Sequence, residues 1–188
     1  MFKPSEKKQI RKALGGDQRA WLWLVQRYEK LVYHYGLRML PSQADALDLL
    51  QDTFTSVFKS LANWREEEHF KAWLMTIAHH RCVEFYRRRK LEEQWQVESH
   101  DEVDEGDWSH PERFYTQGEN VRRLLQAMQL LSIEQKAVVD AKFFQHLTLP
   151  QIAEQQRISV NTVKSRLYVS VDKLKQYLEE AHESSKSA

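Results

Sequence analysis

Residues 70–90 read FKAWLMTIAHHRCVEFYRRRK, and the rest of the chain reads as the supports of this segment. It holds no Gly or Pro, and Phe70, Leu74, Ile77, Ala78 and Phe85 recur at helical spacing. At about 100° per residue, Trp73, Thr76, His80 and Arg87 share a neighbouring stripe. Arg87, Arg88, Arg89 and Lys90 close the helix with positive charge. An aromatic that can stack, donors at regular intervals and a cationic end suit unpaired bases beside phosphates. The same residues also fit a plain amphipathic helix whose basic C-terminus complements the helix dipole. The flanking segments separate the two.

A chain of 188 residues holds one domain or two small ones. Its 29% charged and 41% hydrophobic residues are typical of a soluble globular protein. The net charge of +1 averages over strongly segregated segments. One cysteine, Cys82, excludes an internal disulfide framework and fits a reducing cytoplasm. No apolar run approaches a membrane span, and the N-terminal residues lack the apolar core of a signal peptide. A cytoplasmic protein without direct membrane insertion is expected. Five Gly, four Pro and no strand-period alternation predict an all-α protein.

The spacing predicts a first helix over 5–14, stopped by Gly15 and Gly16, with Asp17 capping the next. That second helix runs from 18 to 40 and ends at Pro41. A third follows to about Leu61, with Leu47, Leu50, Phe54, Val57 and Leu61 as an apolar seam. Asp45, Asp48 and Asp52 lie on nearly the opposite face, edged by Gln51 and Thr55. The first two acids suit the helix dipole; Asp52, farther along, suits docking on a basic partner.

From Leu91 to Gln117 the segment is crowded with acids, among them Glu92, Glu98, Asp101, Asp104 and Asp107, and has little apolar periodicity. It reads as an acidic, flexible linker at the boundary between two small helical domains, 1–90 and 118–180. Such a run is ordinary solvated chain, or a charge mimic of nucleic acid in a basic channel. Helices over 120–131 and 133–144 follow, the second capped by Ser132. Leu149–Gln156, a turn of Arg157, Ile158 and Ser159, and Val160–Leu178 then make a helix-turn-helix candidate. Val160, Val163, Leu167, Val171 and Leu174 are its expected inward face. Asn161, Lys164, Ser165 and Tyr168 point outward, flanked by Thr162 and Arg166, as groups able to meet base edges and phosphates. Residues 181–188 are expected to be a disordered tail.

Taken together, DALDLLQDTFTSVFKSL with NWREEEHFKAWLMTIAHHRCVEFYRRR, then LLSIEQKAVVDAKFF with LTLPQIAEQQRISVNTVKSRL, resemble bacterial RNA polymerase sigma factors of the extracytoplasmic function (ECF) group. The resemblance covers residues from about Ile10 to Leu178 and joins a region 2-like bundle to a region 4-like helix-turn-helix. It implies that Asp45, Asp48, Leu49, Gln51, Asp52, Phe54 and Thr55 bind core RNA polymerase. It implies −10 promoter contacts from Asn63, Arg65, Phe70, Lys71, Trp73, Thr76, His79, His80, Arg81, Arg87 and Arg88. Ser159, Val160, Asn161, Thr162, Lys164, Ser165, Arg166 and Tyr168 would meet the −35 element. An anti-sigma factor is a further partner implied by the family alone.

The sequence departs from the family pattern in three places. Arg157 stands at a turn position commonly held by Gly; Val171-Asp172 replaces an Ala-Arg pair; His79-His80 replaces Ala-Arg or Ala-Asn. Two rival readings fit parts of the sequence. A helix-turn-helix regulator that does not bind polymerase leaves the acidic face, the aromatic-basic helix and the linker unexplained together. A metal-dependent nuclease would use the acids and histidines, but the acids share one outward face and adjacent His79 and His80 diverge. The sequence has no HExxH, paired CxxC or phosphate-cradling glycine loop. Neither catalysis, a metal nor a cofactor is expected.

Overall fold

Gly15 and Gly16 end the first helix, α1 (Glu6–Leu14), with Gly16 taking the positive φ of 86° that side chains avoid. Asp17 then caps α2 (Gln18–Met39): its Oδ1 accepts from the Arg19 and Ala20 amides at 2.9 and 3.1 Å. α3 spans Gln43–Ser60 and leads through a 3-10 turn, Leu61–Asn63, toward α4 (Phe70–Gln96). α5 (Glu119–Gln129), α6 (Ile133–Phe143), α7 (Leu149–Gln156) and α8 (Val160–Lys186) complete the order. The computed structural model describes residues 5–65, 69–96 and 119–186, and every regular element among them is helical, as the periodicity predicts.

Two helices run farther than expected. α4 continues past Lys90 to Gln96, so the first six residues of the predicted linker are helical; the rest of that segment lies outside the described residues. α8 reaches Lys186, so the predicted tail is helix over 181–186. Charged sequence without an apolar stripe hides a helix end, because a helix already nucleated extends over any residue that does not break it.

The residues divide into two compact units. The first comprises Met1–Gly36 and Gln43–Phe85; the second comprises Leu37–Ser42 and Tyr86–Ala188. In the first unit the core holds Ile10, Leu24, Val32, Tyr35, Leu74 and Ala78, all nearly water-free, each large one contributing roughly 1.5–3 kcal/mol. Aromatic rings fill one end: Phe70 meets Tyr28, Trp64 and Trp73 with centroids 5.5, 5.9 and 5.7 Å away. On α3 the buried stripe is Ala46, Leu49, Thr53, Phe54 and Val57. Leu47, expected in the seam, is 53% exposed. Small Ala46 is what permits close approach to α2, so the buried stripe runs through it rather than through its larger neighbour.

In the second unit, Val138, Ala141, Ile152, Ala153 and Val163 form one apolar cluster, with Met128, Leu131 and Val139 forming another. Leu167 packs against both and thereby joins α8 to α5, α6 and α7. Ser132 caps α6 reciprocally with Gln135, as predicted. The expected inward face of α8 needs one correction: Val171 is 41% exposed and Ser170 is fully buried. Ser170 fits there because its hydroxyl donates to the Arg166 carbonyl at 2.5 Å, satisfying the buried polar group within the helix.

Candidate nucleic-acid and partner-binding surfaces

On α3, Asp48, Gln51, Asp52 and Thr55 are exposed and Asp45 is half-buried. Leu49 and Phe54 do not share that surface: at 4% and 8% exposure they are the packing beneath it. The face is therefore polar and acidic, carried on an apolar keel.

The aromatic end of the first unit is layered. Asn63, Arg65 and Lys71 are exposed, Trp73 is half-buried, and Phe70 is buried at 1% exposure, where it supports Trp73 and has no surface of its own. Trp64 is also buried, and its indole N–H has no hydrogen-bond partner among the described residues. The Thr76 hydroxyl donates to the Ala72 carbonyl at 3.0 Å, leaving its lone pairs to accept. His80 is exposed. His79 instead turns inward, its Nδ1 3.2 Å from the Tyr35 hydroxyl. Burial, then the neighbouring His80, lowers its pKa to about 4. His79 is thus neutral near pH 7 and half-buried, whereas His80 is exposed.

Arg81 is likewise engaged within the fold. Its Nε donates to Ser56 Oγ at 2.8 Å and a terminal nitrogen pairs with Glu84 at 2.6 Å. It ties α4 to α3. The Arg81–Glu84 pair lies within α4 itself and, at 41% and 50% exposure, is worth about 1 kcal/mol or less. Arg87 and Arg88, on the part of α4 that belongs to the second unit, are exposed.

The helix-turn-helix is built by two local devices. Arg157 lies in the left-handed region at φ 55°, ψ 44°. The Ile158 amide reaches back to the Ala153 carbonyl at 3.0 Å and the Arg157 amide to Glu154 at 3.2 Å, the pairing of a Schellman motif. Ser159 then caps α8, accepting from the Thr162 amide at 3.0 Å, while the two hydroxyls bond each other at 2.8 Å. Ser159 and Thr162 are thus partly committed to the cap. Val160 is half-buried against the Val138–Ile152 cluster. Asn161, Lys164, Ser165 and Tyr168 are exposed along α8, Tyr168 by 76%. Arg166 is half-buried near Glu134. Burial raises the pKa of that carboxyl, but the Ser132 hydroxyl, the backbone and the Arg166 charge together hold it below its ordinary value.

Among the described residues no group of three or more His, Cys, Asp or Glu could hold a metal ion. No helix there is long and apolar enough to cross a membrane.

Comparison with known proteins bears on both halves. Residues 24–92 match the sigma-70 region 2 family and residues 121–174 match sigma-70 region 4, together well over half of the chain. The chain belongs to the sigma factors, in the ECF group. Among its relatives, the RNA polymerase sigma factor YlaC of Bacillus subtilis is 26% identical over 160 residues, covering 85% of this chain and 92% of that protein. The ECF RNA polymerase sigma factor SigE of Mycolicibacterium smegmatis is 30% identical over 167 residues, covering 87% of this chain and 64% of the relative. A solved structure of the sigma factor RpoE with the anti-sigma factor NepR from Bartonella quintana shares the fold at a TM-score of 0.70 and 21% identity, covering 87% of this chain and 97% of that one. For this sigma factor, the helix-turn-helix carrying Lys164 and Tyr168 is region 4, and the acidic α3 and aromatic α4 lie in region 2.

The residues that sequence reasoning missed are Arg38, Lys136 and Asp140, charged yet 8%, 3% and 0% exposed. A signal was available in KAVVDAKFF, where Lys136, Asp140 and Phe144 recur every four residues around the apolar Ala137, Val138, Val139 and Ala141.

Proposed function

We propose that this chain gives core RNA polymerase its promoter specificity. The exposed row Asn161, Lys164, Ser165 and Tyr168, on a helix whose opposite side is locked into a core, is the observation that carries the reading. A helix presented in this way fits the major groove of the −35 element, with Lys164 on phosphate and Asn161 and Ser165 toward base edges. Asp48, Gln51, Asp52 and Thr55, with Asp45 at the edge, dock on a basic surface of the polymerase, where charge complementarity guides the encounter. Trp73, His80, Asn63, Arg65 and Lys71 engage the −10 element as it unpairs. Stacking on Trp73 and phosphate contacts offset an unstacking cost of about a few kcal/mol per step. No bond is made or broken by the chain itself, and it acts in the cytoplasm beside the polymerase. An anti-sigma factor that covers these surfaces holds it inactive.

Transcription of fragmented genomic DNA by core polymerase, with and without this protein, tests the reading. Discrete new transcripts sharing two upstream elements are expected. Absence of transcripts, together with failure to co-elute with core polymerase, would instead identify a duplex-binding regulator.

A further inference from the structure

α1 lies ahead of residue 24, where the region 2 match begins, and so belongs to neither matched region. Its sequence, EKKQIRKAL, holds four cations and a single acid. At about 100° per residue, Glu6 and Ile10 fall on one side, and Lys7, Lys8, Arg11 and Lys12 spread over the other. Burial agrees with this division: Ile10 is fully buried and all four cations are exposed. Ordinary solvation explains only part of the pattern. Arg11 and Lys12 sit in the last turn, where positive charge complements the helix dipole. Lys7 and Lys8 sit in the first turn and oppose it. Lys7 with Arg11, and Lys8 with Lys12, are also like charges four residues apart, and each pair weakens the helix. A polyanion brought to this face relieves both costs and releases counterions.

The one acid does not offset the cations. Glu6 is turned toward α2, where its carboxylate accepts from Arg27 Nε at 3.1 Å and from the Tyr28 hydroxyl. The same contact fixes where α1 lies. The Tyr28 ring is 5.5 Å from Phe70, and Phe70 is 5.7 Å from Trp73, the half-buried ring assigned above to stacking at the −10 element. Two ring contacts therefore lie between the tyrosine that holds Glu6 and the stacking surface. Phosphates follow one another every ~3.4 Å along one strand of a duplex, so a strand whose base stacks on Trp73 brings phosphates toward the first turn of α1 within a few steps. A lipid surface fits this helix less well. Membrane-surface helices bury an apolar side in the bilayer, whereas Ile10 is already inside the protein core.

We propose that α1 is a further promoter-contacting element, in which Lys7 and Lys8, with Arg11 and Lys12 beside them, bind phosphates of the strand next to the −10 element. It reads no sequence; it holds the strand in register while Trp73 takes a base. The inference rests on the −10 reading of Trp73 and adds a contact from outside regions 2 and 4.

The test is the salt dependence of the promoter complex that the full chain forms with core polymerase, compared between the wild type and Lys7→Gln combined with Lys8→Gln. The slope of log affinity against log salt should fall by about 1.4 to 1.8, the loss of two phosphate contacts on single-stranded or duplex DNA. Lys7→Arg combined with Lys8→Arg should keep the wild-type slope, and binding of the full chain to the −35 duplex alone should change in neither variant. The thermal midpoint of the glutamine variant should hold or rise, because the charges removed opposed the dipole. A wild-type promoter complex whose slope the glutamine variant leaves unchanged would overturn this inference and leave the sigma reading intact; loss of co-sedimentation with vesicles of phosphatidylglycerol and phosphatidylcholine in that case would assign the face to lipid. An equal fall on the −35 duplex would overturn it as a general effect of charge, and a lowered midpoint would overturn it by making the two lysines structural. Failure of the wild type to form any promoter complex would sink the −10 reading, and this inference with it.

Discussion

Gly36 and Ala46 touch across the α2–α3 contact so closely that a Cβ on Gly36 would lie 2.9 Å from the Ala46 Cβ and 3.0 Å from its Cα. The close approach needs a hydrogen on one side and a methyl on the other. Gly36→Ala improves helix propensity by about 1 kcal/mol yet pushes two backbones apart, an overpacking cost of about 1–3 kcal/mol. We expect a net loss of stability, read as a lower urea midpoint, despite a substitution that normally stabilises helices.

Arg157 offers the opposite case. A non-glycine residue in the left-handed region costs about 1 kcal/mol. Arg157→Gly relieves that strain while keeping the Schellman hydrogen bonds, so the thermal midpoint rises, though the greater freedom of Gly in the unfolded chain takes back part of the gain. An unchanged or lower midpoint would mean the Arg157 side chain contributes something its exposed position does not suggest.

His79 makes stability depend on pH. Its pKa is about 4 when folded and near the ordinary 6.5 when unfolded, so between these values the unfolded chain binds the extra proton. The stability associated with neutral His79 is fully present above pH 6.5 and is lost as pH falls toward 4. The slope from one group is at most about 1.4 kcal/mol per pH unit. Urea midpoints at pH 7, 6 and 5 should fall more steeply in the wild type than in His79→Gln.

Docking through α3 predicts a charge effect. Asp48→Lys combined with Asp52→Lys leaves the packing untouched, since both side chains are exposed. Core-polymerase affinity measured by fluorescence anisotropy should drop by about tenfold or more at low salt, and the gap from the wild type should narrow as salt is added. Binding of the −35 duplex alone should be unaffected.

Two cations on α8 should behave differently. Lys164→Ala removes an exposed phosphate partner and lowers the salt slope of duplex binding by about 0.9. Arg166→Ala should lower it less, because that guanidinium is half-buried near Glu134 and is already partly neutralised. Equal slopes for the two variants would place Arg166 on the backbone after all.

Much of this molecule was legible in one dimension. The eight helices of the described residues, the Gly15–Gly16 stop, the Asp17, Ser132 and Ser159 caps and the helix-turn-helix all follow from short-range rules, because a helix and its caps are built from residues within a few positions. The exposed acids of α3 and the outward row of α8 are legible for the same reason: the helical repeat alone sorts the faces. The tertiary structure decided what depends on distant neighbours. It buried Leu49, Phe54 and Phe70 beneath the surfaces they were expected to form, and left Leu47 and Val171 outside. It turned His79 toward Tyr35, 44 positions away, and set Asp140 on Arg38 from a separation of 102. Periodicity names the face a side chain occupies, but only the partner element determines whether that face is covered, and which charges lose their water.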